Sequence, residues 1–291
     1  LALLRLAQGD LEAATAADLE LIGMVSSRRN TFPDGHWIWD NHRGMLPDRD
    51  NWSGFLKEVV KRYRDTIRYW EVWSEPNCLA CNPMSYYDPE VYLEVLKTAS
   101  AAIREADPSA KILLGGIWLN QVTRKYLDKL LGELGGADYF DIFSWHFFLM
   151  TPFNNCKPFS FWKEGLTRWV EYFRSMIPAH YPLWITEFGV PTRRADSPLL
   201  NTSTKGRIVG VTEEEQADFF GEFWETAESE WDTGTLVWIC LKDQFNEARP
   251  YDFNDNLGML RADWSEKPVQ RLAAEFQARS AGRQAAVKGG G

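Results

Sequence analysis

Arg68-Tyr-Trp-Glu-Val-Trp-Ser-Glu-Pro-Asn77 reads as a strand that runs into a proline turn, and its last residues set how the rest of the chain is read. The same form recurs at Tyr181-Pro-Leu-Trp-Ile-Thr-Glu-Phe-Gly189. In each, an apolar, aromatic-rich strand delivers a glutamate, Glu75 or Glu187, beside a Pro or Gly turn. A carboxylate is costly at a strand end buried in a core. Two of them in matching settings point to a pair aimed into one cleft. Period-two alternation places Glu71, Trp73 and Glu75 on one face, so Glu71 points inward as well, but deeper. It reads as a buried partner for an interior base.

Outward from these two segments, six strand candidates follow in order, at 20–25, 69–74, 111–116, 140–145, 183–186 and 235–241. Amphipathic helices separate them. Trp52, Phe55, Val59, Val60 and Tyr63 keep a helical stripe. Asp88-Pro89 supplies an N-cap with proline in the first turn, ahead of Tyr92, Leu96, Ala99 and Ile103. Thr212-Glu-Glu-Glu215 is a capping box ahead of Phe220, Phe223 and Trp224. Strands alternating with helices predict a parallel sheet. Near-continuous apolar strands such as Leu236-Val-Trp-Ile-Cys240 suit a sheet covered on both faces. The segments after the strands are long, at 26–51, 77–87, 147–161, 189–211 and 242–255, while those leading into strands are short. That asymmetry is expected of a TIM barrel, whose site is built from loops after each strand. A doubly wound sheet would need a Gly-rich strand-to-helix turn. Gly115-Gly116 is followed by Ile117-Trp118, which is no phosphate cradle.

With no internal repeat or low-complexity linker, residues 1–291 read as one domain. The first six residues read as a helix already under way, and Lys288-Gly-Gly-Gly291 as a flexible end. A net charge of −9 without a basic patch argues against nucleic acid. No apolar stretch approaches the roughly 18–20 residues of a membrane span. The 14 Trp, 17 Phe and 10 Tyr fit either a ring-rich core or a cleft whose indole faces stack on sugars. Cys78-Leu-Ala-Cys81 has metal-like spacing but no second pair, so loop packing or a disulfide among Cys78, Cys81 and Cys156 competes with zinc. Cys240 reads as a buried free thiol. His36 with His42 has no acidic group beside it by motif, so no metal is implied there.

At Trp73-Ser-Glu-Pro-Asn77 and Ile185-Thr-Glu-Phe-Gly189 the chain resembles clan A of the retaining glycoside hydrolases, with the family 39 type and cellulase-like barrels nearest. The resemblance extends from about residue 20 to 269. It implies a (β/α)8 barrel in which Glu75 is the acid/base after strand four and Glu187 the nucleophile after strand seven. Asp141-Ile-Phe-Ser-Trp-His146 resembles the sixth strand, placing His146 in the cleft. Trp238 resembles the eighth-strand tryptophan that floors a sugar subsite. Gly258-Met-Leu-Arg-Ala-Asp-Trp-Ser-Glu-Lys-Pro268 resembles the closing segment before the last helix. Asn77 reads as a fixer of the loop after Glu75 or a sugar ligand, and Trp118 as a cleft wall or core. His36, Trp37 and Trp39 are substrate-loop candidates.

Three departures stand out. Ser74 replaces the Asn that contacts the sugar 2-hydroxyl in the family. Phe148 stands where a Tyr is common, with Tyr86 or Tyr251 as substitutes. If 20–25 is strand three, strands one and two are absent from the sequence, and with them an Arg the family supplies from strand two. The resemblance implies a carbohydrate substrate, no cofactor and no metal. Retention requires the two carboxyl groups roughly 5–5.5 Å apart, one attacking the anomeric carbon and the other protonating the leaving oxygen. A sugar-binding barrel that has lost catalysis is the alternative, and a barrel hydrolase or metalloenzyme using the cysteine pair a third.

Overall fold

Strand β4 (Ile67–Ser74) has buried side chains over most of its length, and the sheet grows on both sides of it. The computed structural model describes residues 8–17, 19–26, 39–40, 46–47, 49–78, 88–148, 157–192, 210–244 and 256–289. In chain order the elements are α1 (Gln8–Ala16), β1 (Leu21–Val25), β2 (Trp39–Asp40), β3 (Leu46–Pro47), α2 (Arg49–Tyr63), β4, α3 (Pro89–Ala106), β5 (Lys111–Trp118) and α4 (Thr123–Leu127). Then come β6 (Phe143–Phe148), α5 (Phe159–Met176), β7 (Leu183–Gly189), α6 (Glu213–Ser229), β8 (Thr233–Trp238), β9 (Cys240–Lys242), β10 (Gly258–Leu260) and α7 (Pro268–Gly289). A π-helical turn (Asp128–Glu133) continues α4, and a 3-10 turn (Gly136–Tyr139) precedes β6.

Six strands form one sheet in the order β1-β4-β5-β6-β7-β8. Apart from β2 and β3, which pair with each other, strands adjacent in this sheet follow one another in the chain. The pairs β1·β4, β4·β5 and β5·β6 are parallel. All six predicted strands are present, and the α/β class of a TIM barrel stands, with a six-stranded sheet among the described residues. The chain divides into two compact units: residues 1–146 with 173–184, and 147–172 with 185–291.

In the first unit the core is built on Trp70, Val72, Ile112, Leu113 and Leu114 of the strands, with Leu96, Ala99 and Ile103 of α3 facing them, all buried. The α3 start follows its sequence signal: the Asp88 carboxylate accepts the Glu90 amide at 2.9 Å, and Pro89 fills the position that needs no donor. On α2 the buried stripe is Trp52, Leu56, Val59 and Val60, with Phe55 half-buried beside it.

In the second unit, phenyl rings hold β7 to α6. Phe188 stacks on Phe223 at 4.0 Å between centroids, and Phe219 and Phe147 extend the stack. The Thr212 capping box is complete: its hydroxyl accepts the Glu215 amide at 3.1 Å and the Glu215 carboxylate accepts the Thr212 amide at 2.8 Å. The short parallel pair β9·β10 is closed by a buried ion pair, Lys267 Nζ to Asp243 Oδ2 at 2.7 Å.

β4 starts at Ile67, β5 ends at Trp118 and β7 ends at Gly189, each beyond the span read from the sequence, and other boundaries differ too. The sixth strand begins at Phe143 rather than at 140, because the Asp141 carboxylate is drawn aside to the Ile112 amide (2.8 Å) and Arg104 (3.2 Å). The predicted strand 235–241 is two, β8 and β9, broken at Ile239, whose amide donates to the Phe188 carbonyl at 2.9 Å. Helix α7 carries the chain through Lys288 to Gly289, where a flexible end is expected.

Candidate active site

The carboxyl end of β4 departs from regular strand geometry. Trp73 and Glu75 both adopt positive φ, 76° and 50°. Left-handed backbone costs a non-glycine residue roughly 1–2 kcal/mol. It also breaks the period-two alternation: Trp73 turns to α2 and meets Trp52 edge-on at 6.4 Å, so it does not share a face with Glu71.

A side chain is built into the strand ladder beside these residues. The Tyr92 hydroxyl, reaching from α3, donates to the Val72 carbonyl at 2.9 Å and accepts the Gly115 amide at 2.8 Å. It bridges β4 and β5 where the backbone groups do not meet directly, and so satisfies both buried groups. Burial pushes the Tyr92 phenol far above its ordinary range, so it stays a donor. Gly115 is required here, since a Cβ would lie 2.6 Å from the Val72 carbonyl oxygen and 3.0 Å from the Tyr92 hydroxyl.

One residue on, β5 makes room for a histidine. His146 on β6 is fully buried and pairs in register with Trp118. A Cβ on Gly116 would lie only 1.8 Å from His146 Nε2. In the space that glycine leaves, His146 Nδ1 reaches Glu75 Oε1 at 3.1 Å, and Nε2 stands 3.6 Å from Glu71 Oε1. The Gly116 amide donates to that same Glu71 oxygen at 2.9 Å. The Glu75 amide donates to the Gly116 carbonyl at 3.0 Å, which ties the turn to β5. Three ionisable side chains thus line up as Glu71, His146 and Glu75, with the outermost carboxylate partly open to solvent.

The turn after Glu75 is fastened from below. The Asn77 amide donates to the Trp118 carbonyl at 2.7 Å and to the Thr123 hydroxyl at 3.0 Å, and its oxygen accepts the Trp118 amide at 3.1 Å. Asn120 donates to the Asn77 carbonyl at 3.1 Å. The side chain of Asn77 is therefore occupied in holding the loop to the end of β5. Cys78, whose amide donates to the Glu75 carbonyl at 2.9 Å, is disulfide-bonded. Ser74 is half-buried and paired with Gly116, and Trp118 is half-buried at the strand end.

Glu187 lies on β7 in the second unit, half-buried, between buried Thr186 and Phe188. Burial raises the Cys240 thiol pKa, and the charges of Glu187 and Asp243 add to that rise; Cys240 is a free thiol. Trp238 sits in the apolar layer facing α6, edge-on to Phe188 at 5.0 Å and to Phe220 at 5.5 Å. Its indole N–H donates to the Leu257 carbonyl at 2.6 Å. Trp37, His36, Tyr86, Tyr251, Cys81 and Cys156 lie outside the described residues, as do most of the predicted long loops.

The sequence reading did not find Gly116 or the Tyr92 hydroxyl as parts of the site. The double glycine within a β-strand was the available signal, since a glycine inside a strand marks a close approach.

Comparison with solved structures gives the same architecture. A family 39 glycoside hydrolase from the gut symbiont Bacteroides cellulosilyticus WH2 matches with a TM-score of 0.59 at 17% identity, over 89% of this chain and 50% of that one. The fold of this chain is similar to that of several solved glycoside hydrolases. A β-D-glucuronidase from Dictyoglomus thermophilum matches with a TM-score of 0.63 at 14% identity, over 93% of this chain and 42% of that one. A monomeric β-xylosidase from Caulobacter crescentus CB15 gives 0.59 at 14%, over 92% and 55%. The chain thus spans about half the length of the structures it resembles. No protein-family model and no curated protein matches the sequence.

Proposed function

We propose that this chain carries the catalytic centre of a retaining β-glycoside hydrolase acting on a poly- or oligosaccharide. The observation that carries the reading is the glutamate–histidine cluster at the carboxyl end of β4, where Glu75 faces His146 at 3.1 Å. A glycoside hydrolase fold supports it. In this reading Glu187 attacks the anomeric carbon while Glu75 gives its proton to the leaving glycosidic oxygen. Glu75, now a carboxylate, then takes a proton from the water that displaces Glu187. Both units serve one catalytic domain. Ser74, Trp118 and Trp37 contact the sugar, His146 supports Glu75, Asn77 keeps the acid/base loop in place, and Trp238 backs the nucleophile strand through Phe188. A xylosidase-like or glucanase-like specificity fits equally.

The test is hydrolysis of aryl β-glycosides by wild type, Glu75→Ala and Glu187→Ala. Loss of general acid/base help costs roughly 10²–10⁴-fold, and azide should restore turnover in both variants. The azide product should carry the β configuration from Glu75→Ala and the α configuration from Glu187→Ala. Full activity in both variants refutes the assignment. The departures at Ser74 and Phe148 favour a second reading, a sugar-binding barrel without catalysis. Sugar binding by a wild type that turns over no glycoside would select it.

A further inference from the structure

We propose that Glu71 is a positioning residue for the acid/base glutamate, acting through the His146 ring. This deepens the preceding section and rests on Glu75 being the acid/base group. Glu71 is buried four residues before Glu75, too deep to meet a substrate. A buried carboxylate needs compensation. Glu71 has two sources among the described residues: the Gly116 amide at 2.9 Å, and His146 Nε2 at 3.6 Å. The first is a hydrogen bond; the second is at ion-pair rather than hydrogen-bond distance. A negative charge on that side places the ring proton on Nε2. The lone pair of Nδ1 then faces Glu75 Oε1 at 3.1 Å and accepts the O–H of the protonated acid.

The consequence is chemical. A ring held in this tautomer aims the Glu75 carboxyl by a fixed acceptor on Nδ1. The second nitrogen of a histidine commonly sets the role of the first in this way. No part of the arrangement survives a side chain at position 116, where a Cβ would overlap the imidazole. Glu71 is thereby held by the backbone of β5, His146 by Glu71, and Glu75 by His146.

The experiment uses leaving groups that differ in their need for a proton. Glu71→Met removes the acceptor, and Glu71→Gln keeps one. Glu71→Met should lower kcat/KM for a phenyl β-glycoside about tenfold or more, part of the range general acid catalysis supplies. Its effect on the 2,4-dinitrophenyl glycoside, whose leaving group needs no proton, should stay within about threefold by the same reasoning. Glu71→Gln should recover most of the loss. Equal losses on both substrates mean a merely structural role and overturn the proposal. The ring tautomer is an independent readout: nitrogen-15 NMR of wild type should show His146 protonated at Nε2, and Glu71→Met should lose that signature. An Nδ1-protonated ring in wild type, or a signature indifferent to Glu71, also overturns it. A wild type that hydrolyses neither glycoside refutes the enzymatic reading, whereas the NMR result still decides whether Glu71 sets the ring.

Discussion

Replacing Gly116 by alanine adds one methyl group at the tightest point of the site. The new Cβ would lie 1.8 Å from His146 Nε2, 2.3 Å from Cδ2 and 2.5 Å from Cε1. Ordinary contact begins at 3.4 Å, so the imidazole has to retreat by the difference, 1.6 Å. It has no free direction: the ring is fully buried, on a strand whose neighbours Trp145 and Phe147 are buried too. Overpacking of this kind costs about 1–3 kcal/mol. A shift of that size also breaks the 3.1 Å contact with Glu75, a hydrogen bond worth about 0.5–1.5 kcal/mol net. We expect Gly116→Ala to be destabilised by about 3 kcal/mol in urea denaturation, with an unchanged slope. If the variant unfolds at the wild-type midpoint and its His146 NMR signals do not move, the reasoning about this packing is wrong.

Two further outcomes follow from packing elsewhere. Gly54 lies exposed within α2, and a Cβ there meets nothing within 4 Å; Gly54→Ala should stabilise by about 0.5–1 kcal/mol through lost backbone freedom in the unfolded chain, and a lowered urea midpoint would contradict this. Lys267→Met leaves Asp243 buried without its cation and should cost about 3–5 kcal/mol at neutral pH. Burial already holds the Asp243 carboxyl above its usual range with Lys267 present. A group whose folded pKa is raised contributes stability at low pH that is lost as pH rises. The Lys267→Met deficit should therefore be smallest near about pH 4 and largest near about pH 7. Thermal melts across that range check it, and a deficit that shrinks with rising pH refutes it.

The strand and helix order was legible because each element repeats one local signal, an apolar run or a 3.6-residue stripe bounded by a cap. The Thr212 capping box, the Asp88 cap and the α3 face could be read residue by residue. What could not be read came from contacts between distant parts of the chain. Phe140 looks like strand, but Asp141 is drawn toward Ile112 and Arg104, and the regular strand begins only at Phe143, after a single bridge from Ile142 to Leu113. Trp73 looks like an inward residue until its positive φ turns it to Trp52. Trp238 reads as a surface for sugar, yet Phe188, Phe220 and the Leu257 carbonyl engage it. Gly116 has no local reason to be glycine; the reason is a histidine thirty residues away.

The left-handed backbone at Trp73 and Glu75 divides two kinds of selection. A library screened only for resistance to heat or denaturant would favour glycine or asparagine at position 75, where φ is 50°, since these residues tolerate that conformation. A library screened for turnover would keep the glutamate. Variants that rise in the first screen and vanish in the second would map where this chain holds a conformation for its chemistry and not for its folding.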